Sequence, residues 1–206
     1  MTPGSPGSIA TLKISLLQQI GRIDRQQALL PATHPDIDRT IEQLEILSPI
    51  QEPLEAVHRH LLMGSWQLIY ASRGTVVTRQ LQRADRPANT PLKQVWQHLD
   101  TDAETITTEN GAILDVLGLG EIKLLARGVW QPTDLQTATV SFNQFVFQLR
   151  LGIELPGLPV AVPGFLRREA AWTTSYLDET LRFGRGATGN LFVFQRCKPP
   201  AASLGT

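Results

Sequence analysis

The apolar residues of this chain change their period at Gly64. Before it they recur every three to four residues, as Ile9, Leu12, Leu16, Ile20 and Ile23, and again as Ile37, Ile41, Leu44 and Leu47. After it they recur every second residue: Trp66, Leu68 and Tyr70; Ile122, Leu124, Ala126, Gly128 and Trp130; Phe145, Phe147 and Leu149. A period near 3.6 draws a stripe along a helix, and a period of 2 draws a face along a strand. The chain therefore reads as N-terminal helices followed by strands that each bury one face.

Residues 1–8 form a Pro/Gly/Ser tail, and residues 199–206 a second tail. Between them the pattern predicts helices over 9–62 and a β-domain over 63–198. The first helix runs from Ile9 toward Gly21 or Leu30, with Pro31 as a break. A second starts with Asp36 as its cap and stops before Pro49, and a third short one starts at Pro53 with Leu54, Val57 and Leu61 on one face. Further strands are expected at 93–99, 104–108, 112–117, 169–177, 180–183 and 191–197, separated by turn chemistry at Glu109-Asn-Gly111, Pro132-Thr-Asp134 and Gly184 to Asn190. Eight or nine strands in succession suit an antiparallel up-and-down β-barrel, which closes its own edges.

Composition removes several function classes. Lys and Arg together number 19, as do Asp and Glu, so no net field attracts nucleic acid. The single cysteine, Cys197, allows no disulfide within the chain. Met1 to Ser8 lacks the basic and apolar parts of a signal peptide and is too short for a transit peptide. On that reading the chain stays in the cytoplasm, with any membrane association peripheral.

No cofactor, metal or catalytic grouping is predicted. Asp178 and Glu179 are adjacent, so in extended chain they point to opposite faces and suit a turn or an ion pair. His58 and His60 are two apart, the wrong spacing for one helical metal face. The glycines of Gly184-Arg-Gly-Ala-Thr-Gly189 open no evident helix and bring no lysine, so they read as a hairpin rather than a phosphate loop.

Leu61-Leu-Met-Gly-Ser-Trp-Gln-Leu-Ile-Tyr70 joins a helix end, a glycine and a strand that opens on tryptophan. Gly-x-Trp lets the backbone turn tightly while the indole plugs one barrel end, as lipocalin-like proteins do. Together with Leu12-Lys-Ile-Ser-Leu-Leu17, Ile41-Glu-Gln-Leu-Glu45 and the run from Tyr176 to Phe194, it makes the chain resemble the plastid lipid-associated proteins, or fibrillins, from about Leu12 to Phe194. The resemblance implies a lipocalin-like barrel at photosynthetic membranes or lipid globules such as thylakoids and plastoglobules. It further implies a carotenoid, quinone or lipid as the apolar partner, a photoprotective role and no chemistry of its own. Without a transit peptide, a cyanobacterial-type member is expected. The alternative is a structural coat on lipid globules, with the barrel filled by its own side chains.

The expected interior ligand contacts are Trp66, Tyr70, Trp130, Phe145, Phe147, Trp172, Thr174, Tyr176 and Arg182. Burying apolar surface against such rings stabilises a guest by roughly 25 cal/mol per Å². Arg182 has two readings, a stack over Trp66 or a grip on a ligand head group. Arg185, between glycines, is expected to be exposed. Leu151 to Leu166 carries Glu154, three prolines and three glycines and cannot span a membrane as a helix. Leu155, Leu158, Val160 and Phe165, followed by Arg167 and Arg168, are candidates for contact with a bilayer and its anionic head groups; the other reading is a loop folded over the barrel mouth or against a helix.

Overall fold

The computed structural model describes residues 8–29, 34–73, 92–102, 105–115, 118–151, 153–154, 156–160 and 169–198. Among these residues four helices come first: α1 (Ile9–Gly21), α2 (Arg25–Leu29), α3 (Pro35–Ile46) and α4 (Arg59–Leu62). Ten described strands follow: β1 (Gly64–Ala71), β2 (Leu92–Asp102), β3 (Thr105–Asp115), β4 (Glu121–Pro132), β5 (Thr137–Leu151), β6 (Ile153–Glu154), β7 (Leu158–Val160), β8 (Ala170–Leu177), β9 (Leu181–Gly186) and β10 (Leu191–Cys197).

Pairing is antiparallel throughout, and the order β4-β3-β2-β1-β10-β9-β8-β5 is joined end to end by a β4–β5 ladder. This ring of eight strands is an up-and-down barrel, mainly β with N-terminal helices as the period change predicts. The long strand β5 holds β4 along one edge. Its other edge is shared by β8 over 137–140, β7 over 145–147 and β6 over 150–151.

Two apolar clusters divide the molecule. One fills the barrel, from Leu54 and Leu62 through Trp66, Leu68, Leu99, Ile106 and Trp130 to Phe194. The other joins Leu16 and Ile20 of α1 and Ile37, Ile41 and Leu44 of α3 to the outer face of β1, β8, β9 and β10 at Tyr70, Tyr176, Phe183 and Val193. Ion pairs hold this helical layer down. Lys13 Nζ lies 2.6 Å from Asp178 Oδ2, and Arg185 Nε donates to Glu45 Oε1 at 2.9 Å. Arg185 is thus a strand residue bound to α3, not an exposed turn residue.

Several local expectations change. Helix α3 begins at Pro35, whose fixed φ suits the first turn, and His34 precedes it without a side-chain cap bond. Residues 53–58 form turns that leave Val57 exposed, and only Arg59–Leu62 is helical. Glu109-Asn-Gly111 is no turn: β3 runs straight through it, because Gly111 lets the Trp96 ring of β2 lie flat across the strand. A Cβ at Gly111 would sit 2.1 Å from that ring. Pro132-Thr-Asp134 does turn, with Asp134 Oδ1 accepting from the N–H groups of Gln136 and Thr137 at 2.7 and 2.6 Å.

Candidate functional site: the barrel interior

One barrel end is closed by the segment before β1. The Leu54 N–H donates to the Leu135 carbonyl at 3.0 Å, Gln136 Nε2 to the Gln51 carbonyl at 2.6 Å, and the Leu177 N–H to Ser48 Oγ at 3.3 Å. Gly64 turns the chain into β1 at φ +106, a conformation that L side chains rarely adopt. Trp66 follows, fully buried, and its Nε1 donates to the Leu62 carbonyl at 2.8 Å.

Two arginines flank Trp66. Arg196 is its register partner on β10, with the guanidinium 4.1 Å from the ring centroid. Arg196 Nη1 donates to the Met63 carbonyl at 2.8 Å, Nε to the Glu179 carbonyl at 2.7 Å, and Nη2 to the Leu61 carbonyl. Arg196 is therefore the residue that welds the plug to the last strand. Arg182 stands inside the barrel, fully buried, 5.1 Å from Trp66, 5.8 Å from Trp130 and 4.6 Å from Phe194. Its Nη2 donates to Gln97 Oε1, while Nε and Nη1 are buried without partners. Burial, and secondarily the like charge of Arg196, push this guanidinium down to about 9, which leaves it protonated at neutral pH.

Beyond Arg182, toward the β9–β10 turn, lies a cavity of about 370 Å³. Trp130, Trp172, Phe142, Phe145, Phe192 and Phe194 supply its aromatic lining. The rings of Trp130 and Trp172 are 6.0 Å apart, and Trp172 lies 5.1 Å from Phe192. Glycine makes this possible: a Cβ at Gly184 would stand 2.0 Å from the Trp172 ring. Gln97 and Asn110 are the polar residues of the facing wall.

The expected interior residues therefore divide. Trp130, Phe145 and Trp172 line the cavity, and Trp66 and Arg182 lie beneath it. Thr174 is buried, in register with Gly184, and its hydroxyl has no partner. Phe147 is half-buried, opposite Leu124, and does not reach the cavity.

Tyr70 and Tyr176 are corrections: both lie on the outer face, under the helices. The cause is a β-bulge in each strand. The register slips between Leu68 and Tyr70 in β1 and between Thr174 and Tyr176 in β8. One extra residue reverses every later side chain, so Ala71 and Leu177 face inward while the tyrosines face outward. There Tyr70 donates to Asp38 at 2.7 Å and Tyr176 to Asp178 at 2.6 Å. Burial, reinforced by these carboxylates, raises both phenols far above their ordinary value.

Of the expected bilayer contacts, Leu158 and Val160 are exposed on β7, and Leu155, Phe165, Arg167 and Arg168 lie outside the described residues. Sequence reasoning missed Gln97, Asn110, Phe192, Phe194 and Arg196. Phe192, Phe194 and Arg196 share one face of β10 by simple alternation, a signal that was present in the run Leu191–Cys197. The two amides carried none beyond breaking the apolar pattern.

Fold and cavity together define an up-and-down barrel with an aromatic interior, plugged at one end. The family model PAP_fibrillin matches residues 10–195, and the chain belongs to this family, the plastid lipid-associated proteins or fibrillins. Two Arabidopsis thaliana proteins are similar to it. One, named probable plastid-lipid-associated protein 5, chloroplastic, is 27% identical over 195 residues, covering 91% of this chain and 70% of its own. The other, probable plastid-lipid-associated protein 8, chloroplastic, is 23% identical over 197 residues, covering 88% and 70%. No solved structure matches the chain. Among the described residues no helix is long and apolar enough to cross a membrane.

Proposed function

We propose that this protein binds an apolar small molecule, a carotenoid, quinone or lipid, in its barrel, without chemistry of its own. The observation that carries the reading is the cavity between Trp130 and Trp172, walled mainly by aromatic and aliphatic side chains. At about 370 Å³ it lies near the lower end of the range for small-molecule sites, roughly 300–1,000 Å³. It suits a ring or a short chain, so a long polyene or isoprenoid would be held by one end. The names of the Arabidopsis relatives support a setting at plastid-type lipid. In that setting we place the protein at the periphery of thylakoids or lipid globules, with a photoprotective role when the guest is a pigment.

Extraction tests this reading. The protein is purified from cells with pigmented membranes and treated with organic solvent, and one molecule of pigment, quinone or lipid per chain is expected. An empty extract from a protein that still floats with vesicles would favour the second reading, a coat on lipid surfaces. The observation behind that second reading is the exposure of Leu151, Leu158 and Val160 around β5 and β7.

A further inference from the structure

The barrel wall carries a chain of side-chain hydrogen bonds whose direction is imposed by one residue. Arginine can only donate. Arg182 Nη2 donates to the Gln97 amide, which therefore presents Oε1 to Arg182 and must turn its Nε2 the other way. Gln97 Nε2 then donates to Asn110 Oδ1 at 2.8 Å and to Thr108 Oγ1 at 3.3 Å, and Thr108 Oγ1 donates to the same Asn110 Oδ1 at 3.0 Å. Asn110 Oδ1 accepts twice. The Asn110 amino group, Nδ2, is the end of the chain, on a residue that lines the cavity.

The register supports this placement. Trp66, Gln97, Asn110, Ala126 and Phe145 are successive cross-strand partners over β1, β2, β3, β4 and β5, and so share the inner face. The orientation of Gln97 and Asn110 is thus determined by a fixed charge, where amide orientation is otherwise ambiguous. The interior also has an excess of donors. Arg182 Nε and Nη1, Trp130 Nε1 and Trp172 Nε1 are buried without acceptors. Among the described residues no carboxylate is paired with Arg182. A buried cation without a counter-charge costs several kcal/mol, and that cost falls when an anion enters nearby.

We infer that the cavity selects guests carrying an oxygen acceptor, and among them a carboxylate, which seats at Asn110 Nδ2 with Arg182 as the charge behind it. This deepens the proposed function and rests on it: the apolar body lies among the Trp130, Trp172 and Phe192 rings, and the head group meets the amide. A pure hydrocarbon would leave the donors unanswered.

The test compares decanoate, methyl decanoate and decane by quenching of tryptophan fluorescence, below the concentration at which decanoate forms micelles. Decanoate is expected to bind roughly tenfold more tightly than methyl decanoate, the size of one charge-assisted hydrogen bond, with decane weakest. Asn110→Asp keeps the oxygen that Gln97 and Thr108 use and replaces the amino donor with a second oxygen; it should abolish the preference for decanoate. Asn110→Leu should level all three ligands, and circular dichroism of both variants establishes that the barrel has formed. Equal affinity of the three for the wild-type chain overturns the head-group inference alone, as does an unchanged order in both variants. Binding of none of the three removes the cavity reading, and this inference with it.

Discussion

Trp66 and Arg196 face each other in register across β1 and β10, with the guanidinium 4.1 Å from the indole. Arg196 also donates to three backbone carbonyls, those of Leu61, Met63 and Glu179. It joins the plug, the first strand and the last strand at one point. Arg196→Ala should cost about 2–4 kcal/mol, from charged hydrogen bonds and the ring contact. Arg196→Lys should recover less than half, since an ammonium lacks the planar fork. Urea unfolding reads both as a lower midpoint at constant slope; a wild-type midpoint for Arg196→Ala would remove the weld.

Gly111 and Gly184 each lie under a tryptophan that lines the cavity. A methyl group at either would meet a ring, Trp96 at 2.1 Å or Trp172 at 2.0 Å. Both Gly111→Ala and Gly184→Ala should destabilise by about 1–3 kcal/mol through overpacking. They should differ in binding. Gly184→Ala pushes Trp172 toward Trp130 and Phe192 in the cavity and weakens a guest strongly, whereas Gly111→Ala displaces Trp96, which with Gly111 also lines the cavity, and weakens it less. Thermal melts and ligand titrations of the two variants separate these effects.

These glycines mark where the sequence was hard to read. Asn110-Gly111 has turn chemistry, and nothing local tells that Trp96, fifteen positions before Gly111 and its neighbour only through strand pairing, requires a bare backbone there. The period change at Gly64 and the alternation in β4 and β5 were legible because burial on one face must repeat every second residue. The bulges in β1 and β8 were not, because an inserted residue changes the parity of a strand without a residue type of its own. Tyr70 and Tyr176 therefore moved from the interior to the helical layer. Cavity volume was equally hidden: alternation shows which residues face inward, not how far their rings reach.

Asp178 links α1 to the β8–β9 turn and gives the fold an acid dependence. Burial alone would raise its carboxyl, but hydrogen bonds from Lys13, Tyr176 and the N–H groups of Thr180 and Leu181 outweigh it and bring it down to about 2, against 3.8 when free. As pH falls, the unfolded chain takes up this proton before the folded one. The contribution is therefore complete above about pH 4 and is lost as pH falls toward 2. Asp178→Asn should melt at a lower temperature than wild type near neutral pH, with the gap closing in that acid window. A gap independent of pH would show that the carboxylate charge is not what holds the turn.

Leu158 and Val160 are exposed on β7, beside exposed Leu151 on β5. Replacing Leu158 and Val160 together by Asp should reduce flotation with anionic vesicles severalfold, because charged groups do not partition into the acyl boundary, while leaving the melting temperature within a few degrees. Flotation equal to wild type would assign membrane contact to another part of the surface.

Whether the guest sits inside the barrel is read by native mass spectrometry of the protein recovered from membrane-containing cells. The comparison variant is Ala126→Phe, which fills the cavity from β4, where Ala126 lines the wall opposite Phe145. The expected result is an interior guest: a folded wild-type chain heavier than its own 22.8 kDa by one small molecule, and a folded Ala126→Phe chain without that excess. An equal excess on both, or none on either, would contradict it.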